Sequence, residues 1–427
     1  MKRKWLIGIL TLLVCICGII GFTACKNESN NLKFALLKGG KSYSVVGTIG
    51  SPTKVDIPAT YKGKPVTTIG DWAFYECSSL TSVTIPDSVT NISGAAFMRC
   101  TSLTSITIPD SVTYTSEGAF SGCPIENATI PTSAIGGIPK SKLKSVIITS
   151  GSSIGENAFS GCYSLTHITL PNSITEIGEW AFKGCSNLTS ITIPECVTEI
   201  GANAFYDCTA LTNITIPDSV TEIGECAFYA CTSLTSVTIG SGVKSIGISA
   251  FSGCTLLETI TVASENTNYH SAGNCLIETK SKTLILGYKN CVIPIDGSVT
   301  SIGDFAFSDY TSLTSITIPD CITKIGFGAF SDCPALTSIN IPDSVTEIGE
   351  CAFQHCTSLE SVTIGNGVTY IGADAFRRCI SLESVTFKNT DGWKAENISF
   401  SSTELANPAT AATFLTDTYC RYYWQRG

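Results

Sequence analysis

Apolar and polar positions recur along the chain with a period of 23 residues. Most of one copy, residues 208–227, reads CTALTNITIPDSVTEIGECA. An Ala-Phe pair marks each copy, at 73–74, 96–97, 119–120, 158–159, 181–182, 204–205, 227–228, 250–251, 306–307, 329–330, 352–353 and 375–376. Nine of the eleven intervals between successive phenylalanines are 23 residues, so the copies are in register. Leu211, Ile214 and Ile216 alternate with Asn213 and Thr215, the period of a short strand with one buried face. Pro217 cannot donate to a ladder and ends that strand, and Gly224 is expected to free the corner before the Ala-Phe turn. A single coil leaves its top and bottom apolar faces open. Only stacking of coils closes them, so the pattern predicts a β-rich solenoid.

The chain divides on this pattern. Residues 1–24 have a basic start and an apolar run from Trp5 to about Ile20, as in a secretory leader. Their end, Phe22-Thr23-Ala24-Cys25, resembles a bacterial lipobox, which would make Cys25 the lipid-anchor residue, although Phe22 stands where Leu or Val is usual. Residues 25–42 are assigned as a tether and 43–388 as the solenoid with an N-terminal cap. Residues 389–427, rich in aromatics, form a C-terminal cap. Two irregular stretches break the register, near 121–157 and 263–298. The second is expected to hold a hairpin around Cys275-Leu276-Ile277 and Thr283 to Leu286. Residues 174–261 and 299–386 match at a constant offset of 125, which includes Cys196 with Cys321 and Cys226 with Cys351. Because 125 is not a multiple of 23, a block of coils was duplicated with its spacing.

Composition narrows the function classes. The chain has 26 Lys and Arg against 35 Asp and Glu, net −9; loss of Lys2, Arg3 and Lys4 with the leader leaves −12. Nucleic acid is excluded as a partner, since phosphate binding needs basic clusters and none is present. The 21 cysteines suggest a disulfide scaffold until they are placed on the repeat. Eleven lie three residues after the repeat phenylalanine, at 77, 100, 123, 162, 185, 208, 231, 254, 333, 356 and 379. A column in register with a core Phe reads as a buried ladder of small reduced side chains.

No catalytic set emerges. The three histidines, His167, His270 and His355, show no spacing independent of the repeat. Cys351 and Cys356 around His355 lack the second close pair that tetrahedral zinc requires. The chain is therefore expected to be no enzyme, with no cofactor, metal or small-molecule substrate. Two polar regions remain as binding candidates. The strand face carries Ser82, Thr84, Ser105, Thr107, Ser190, Thr192, Asn213, Thr215, Ser236, Thr238, Ser315, Thr317, Ser361 and Thr363, with Ser384 and Thr386 continuing it. The adjoining turns are acidic, with Asp87, Asp110, Asp218, Glu222, Asp343 and Glu347 among them. The second region is the insertion, with Asn266, Asn268, Tyr269 and His270.

The phrase Ile-Gly-x-x-Ala-Phe-x-x-Cys-x-Ser-Leu-Thr-Ser-Val-Thr-Ile-Pro-Asp-Ser-Val resembles the BspA-like (type 5) leucine-rich repeat of bacterial surface proteins, over roughly residues 43–388. The resemblance implies a leucine-rich-repeat solenoid, with short parallel strands on one face and irregular or 3₁₀ turns on the other. It implies a non-enzymatic array at the bacterial cell surface that adheres to host or bacterial surface proteins. A structural surface-layer or spacer protein without a specific ligand is the alternative. Membrane attachment would be through the lipid on Cys25 only, with secretion if that residue is unmodified.

Overall fold

Every backbone N–H and C=O that a coil buries needs a partner, and the chain finds most of them one coil away. In the computed structural model each regular coil contributes three runs, and each run bonds to the same run of the next coil. Strand Asn213–Ile216 lies parallel to Ser236–Ile239, with Ile214 opposite Val237 and Ile216 opposite Ile239. The two-residue strand Glu222–Ile223 lies parallel to Ser245–Ile246. At the Ala-Phe turn, the amides of Asn203, Phe205 and Asp207 donate to the carbonyls of Glu225, Ala227 and Tyr229 at 2.8, 2.7 and 2.8 Å. The expected irregular turns are thus a third ladder. Their regularity comes from two residues per coil in the left-handed region, Cys226 (φ 52°) and Ala230 (φ 56°) in one coil and Asn203 (φ 56°) and Asp207 (φ 59°) in another.

Residues 25–27, 31–288 and 290–427 are described by the structure; the expected leader, 1–24, lies outside them. The chain forms two units, one ending at Gly151 and one beginning at Ser152. In the first unit, Leu32–Leu36 pairs antiparallel with Tyr43–Thr48, which runs parallel to Lys64–Ile69. Leu32 and Phe34 are fully buried, and Phe34 stacks on Tyr61 at 4.2 Å. Residues 32–36 are therefore part of the cap and not of a free tether. The alternation Leu-Lys-Phe was short enough to pass for polar linker. Cys25–Asn27 pairs with this strand in turn. The irregular stretch of this unit holds strand Asn127–Ile130, bonded to Ser105–Thr107 and Ser145–Ile148, and a 3₁₀ turn at Thr132–Gly137.

The second unit carries the duplicated block. Strands Asn213–Ile216, Ser236–Ile239 and Thr259–Val262 form one parallel set, and Ser338–Ile341, Ser361–Ile364 and Ser384–Phe387, 125 residues on, form another. The ladder is interrupted at 190–193 and again at 315–318, so the offset is kept in the defects as well. Between the blocks lies an antiparallel sheet of Tyr269–Ala272, Cys275–Glu278 and Thr283–Gly287; the first of these strands was not expected. At the C-terminal end, Trp424–Arg426 pairs antiparallel with Tyr370–Ile371 and with Trp393–Ala395. Short helix Pro408–Thr413, capped by the Asn407 carboxamide, packs on Ser384–Phe387.

The core of each unit is the repeat itself. All twelve repeat phenylalanines are buried, and within each unbroken run of coils they stack face to face, as in Phe205–Phe228 at 5.1 Å and 3°. Ten of the eleven ladder cysteines are buried, and Cys77 is half-buried. Most of these thiols make the same contact. Cys208 Sγ donates to the Phe182 carbonyl one coil back at 3.1 Å, and Cys231 and Cys356 repeat the contact with Phe205 and Phe330. Burial pushes the Cys208 thiol up to about 12, which keeps that side chain protonated at neutral pH.

Candidate functional site

What the interior does not consume is left on the faces. The strands that bury Ile214 and Ile216 turn Asn213 and Thr215 outward, and parallel register repeats the choice in every bonded neighbour. Asn213/Thr215, Ser236/Thr238 and Thr259/Thr261 form one exposed to half-exposed set. Ser338/Asn340, Ser361/Thr363 and Ser384/Thr386 form the other. Thr259, Thr261, Ser338 and Asn340 extend the expected columns; they escaped notice because Thr replaces Ser in one pair and Asn replaces Thr in the other. Ser190 and Thr192, like Ser315 and Thr317, are exposed but lie where the ladder is interrupted. In the first unit, Ser82 and Thr84 are exposed beside Lys54–Asp56, with the Thr84 hydroxyl donating to Asp56 at 2.6 Å. Ser105 and Thr107 are exposed beside Asn127–Ile130, and Thr107 lines a shallow depression of ≈ 500 Å³ with Asp87, Asp110 and Thr149.

A neighbouring hydroxyl column serves structure. Thr198 and Thr221 donate to the carbonyls of Thr175 and Thr198 one coil back, at 3.1 and 3.2 Å. Part of the acidic edge does likewise. The Ser241 amide donates to Asp218 at 2.7 Å and holds its carboxyl below the usual range. Asn366 does the same for Asp343, 125 residues on, with Lys388 adding a second contact. Glu176, Glu199 and Glu222, by contrast, sit in direct register with all three exposed, a like-charge column that destabilises its own ladder.

The insertion is not the polar surface that the sequence suggested. Asn266 is buried. Its Nδ2 donates to the Gly240 and Val243 carbonyls at 2.9 and 3.1 Å, and its Oδ1 accepts from the Asn268 and Tyr269 amides at 2.9 Å each. Tyr269 is buried too, its hydroxyl accepting from the Ile246 amide at 3.1 Å. Asn268 Nδ2 donates to the Val243 carbonyl at 3.3 Å. These side chains clamp the insertion onto the preceding coil. His270 stays half-exposed, 2.9 Å from the Thr279 hydroxyl.

Two surface arrangements at the turns were not read from the sequence. Trp180, Tyr206 and Tyr229 form a half-exposed row, with centroid separations of 5.9 and 5.0 Å, and Lys183 Nζ lies 4.0 Å from the Trp180 ring. Further along, Asp309, Asp332, His355 and Arg378 occupy one position in four successive coils, around a shallow depression of ≈ 560 Å³. His355 Nδ1 is 2.9 Å from Asp332, and its Nε2 is 3.2 Å from Arg378. Burial pushes the Asp309 carboxyl up, and the Tyr229 hydroxyl donates to it at 3.0 Å. Repeat position would have grouped these residues, had turn columns been read as strand columns were. Among the described residues, no three His, Cys, Asp or Glu side chains converge to hold a metal, and no helix is long and apolar enough to cross a membrane.

Comparison with known proteins agrees with this geometry. The model of the BspA type leucine rich repeat region matches residues 53–147, 152–276 and 287–405, in six copies. A leucine-rich repeat protein from Bacteroides ovatus ATCC 8483 is similar at 28% identity, over 84% of this chain and 93% of that one, with a TM-score of 0.53. A leucine rich cell surface protein from Faecalibacterium prausnitzii A2-165 is 30% identical over 86% of this chain and 96% of its own length, with a TM-score of 0.49. No curated protein matches the chain.

Proposed function

The chain belongs to the BspA-type leucine-rich repeat family, and from that premise we propose that it is a non-enzymatic, protein-binding array displayed outside the cytoplasm. The observation that carries the reading is the pair of outward polar sets, Asn213 to Thr261 and Ser338 to Thr386. They repeat in register and make none of the coil-to-coil bonds that the adjacent Thr column makes. An extended protein partner meets such a surface with its own periodic backbone. The acidic excess steers basic partners toward it. Attachment is through lipid on Cys25, supported by the Phe22-Thr23-Ala24-Cys25 sequence. Binding of the mature chain to immobilised matrix proteins and to bacterial cells tests the reading. Saturable binding weakened by Thr215→Glu and Thr238→Glu is expected; retention of full affinity by both variants would refute this face.

The uniformity of the Ser/Thr columns favours a second reading, a surface-layer spacer. Self-assembly together with binding to no protein would support it. Intact mass of the membrane fraction, with and without Cys25→Ala, reads the anchor independently.

A further inference from the structure

Cys275 and Cys291, two of the cysteines outside the ladder, behave unlike it. Ladder thiols point at backbone carbonyls, as Cys254 does at Phe228 (3.2 Å). Cys275 and Cys291 point at each other, with Sγ atoms 2.6 Å apart, well inside the contact distance of unbonded sulfurs. The backbone around them is already joined. The Val292 amide donates to the Gly273 carbonyl at 2.7 Å, and the Tyr288 amide donates to Asn274 at 3.2 Å. Gly273 has φ +59°, and a Cβ there would fall 2.0 Å from the Val292 carbonyl, so only glycine lets the two segments approach this closely.

We propose that Cys275 and Cys291 are a disulfide in the protein at its place of action, a clasp that closes the irregular insertion between the two duplicated blocks. The compartment rests on the extracytoplasmic reading above; the pairing rests on the geometry. Disulfides persist outside the cytoplasm and are reduced inside it. The bond stands where the repeat is missing. The insertion has no Ala-Phe turn of its own between Phe251 and Phe307, and among the described residues the turn ladder is reduced there to one bond, from the Gly287 amide to the Ala306 carbonyl at 2.9 Å. Closing the 16-residue separation covalently adds a tie within the insertion, where the turn bonds are fewest.

The chemistry is thiol–disulfide exchange with a small-molecule disulfide such as oxidised glutathione, or with a protein disulfide of the same kind. The half-buried Cys291 thiolate attacks one glutathione sulfur and displaces a glutathione thiolate, giving a mixed disulfide. The buried Cys275 sulfur, on losing its proton to solvent base, attacks Cys291 and displaces the second glutathione. Two protein S–H bonds become one S–S bond, two protons leave, and the two electrons reside in two reduced glutathiones. Contact with Cys291 and burial both raise the Cys275 thiol, so it holds its proton through the first step.

The test is peptide mapping without reduction, after alkylation of all accessible thiols in denaturant. Two samples are mapped: full-length protein expressed in its own cells and quenched before lysis, and purified protein treated with oxidised glutathione. The expected result is one linkage, Cys275 to Cys291, in both samples, with the ladder cysteines alkylated. Alkylated Cys275 and Cys291 in the glutathione-treated protein, or linkage of either to a ladder cysteine, would overturn the proposal. Linkage in that sample but free thiols in the cellular one would support the pairing and count against the extracytoplasmic reading. Because a variant that misfolds says nothing, Tm is read as well. A reductant should lower the wild-type Tm by several degrees and leave Cys275→Ser/Cys291→Ser unchanged; equal response of both proteins would overturn the clasp.

Discussion

Two kinds of residue that look alike in sequence do opposite work in the turn. Gly224 was expected to supply an unusual backbone angle, yet its φ is not positive. What requires glycine there is a Cβ position 2.4 Å from the Ala202 amide of the preceding coil. The unusual angles belong to Cys226 and Ala230, and glycine fills the latter column at Gly184 (φ +69°) and Gly253 (φ +73°). Gly224→Ala should therefore cost about 2 kcal/mol or more through overpacking, whereas Ala230→Gly should gain about 1 kcal/mol by relieving a left-handed alanine. Urea unfolding of both variants checks this; equal signs would contradict the assignment. The ladder thiols make a separate prediction. Burial pushes the Cys208 thiol from 9.0 up to about 12, so the folded chain holds its proton more tightly. Its contribution to stability is whole below pH 9 and is lost as pH rises from 9 towards 12, at about 1.4 kcal/mol per pH unit per such thiol. Urea midpoints should be flat from pH 7 to 9 and fall above it, and a flat profile to pH 10.5 would contradict a buried ladder.

At the scale of the element, register decides what is exposed and what is spent. The strand face could be read ahead because alternation around Ile214 and Ile216 fixes direction, and a one-residue slip would turn the whole column over. The Glu-Ile strands and the hydrogen-bonded turn could not, since two residues carry no period and a left-handed pair has no residue type of its own. Parallel pairing makes Glu176, Glu199 and Glu222 neighbours. Glu199→Lys should raise the urea midpoint slightly, and the gain should shrink in 1 M salt; an unchanged gain in salt would point to something other than charge. The insertion was misread for a related reason. Asn and Tyr in an aperiodic stretch look exposed, but Asn266 satisfies two carbonyls and two amides that the lost coil leaves behind. Asn266→Ala should cost about 2 kcal/mol, seen as faster proteolysis between 263 and 298; unaltered proteolysis would restore it to the surface list.

For the molecule as a whole, the period alone disclosed the solenoid, the two breaks in register and the 125-residue duplication. The duplication also recurs as structure, in matched strand sets, matched interruptions, and the equivalent bonds of Asp218 to Ser241 and Asp343 to Asn366. The N-terminal cap was only partly legible, because Leu32 and Phe34 are buried in a short strand that no repetition announces. Function is less legible still: repetition specifies a surface without naming what lies on it. Everything said of the faces depends on the repeat cysteines and phenylalanines being inside. Residue-resolved alkylation of the native protein, followed by mass spectrometry, tests that most directly. Exposed Cys196 should label within minutes, while Cys208, Cys231 and Cys356 should stay unlabelled until the chain is unfolded; labelling of the ladder at the rate of Cys196 would contradict the stacked core and every face derived from it.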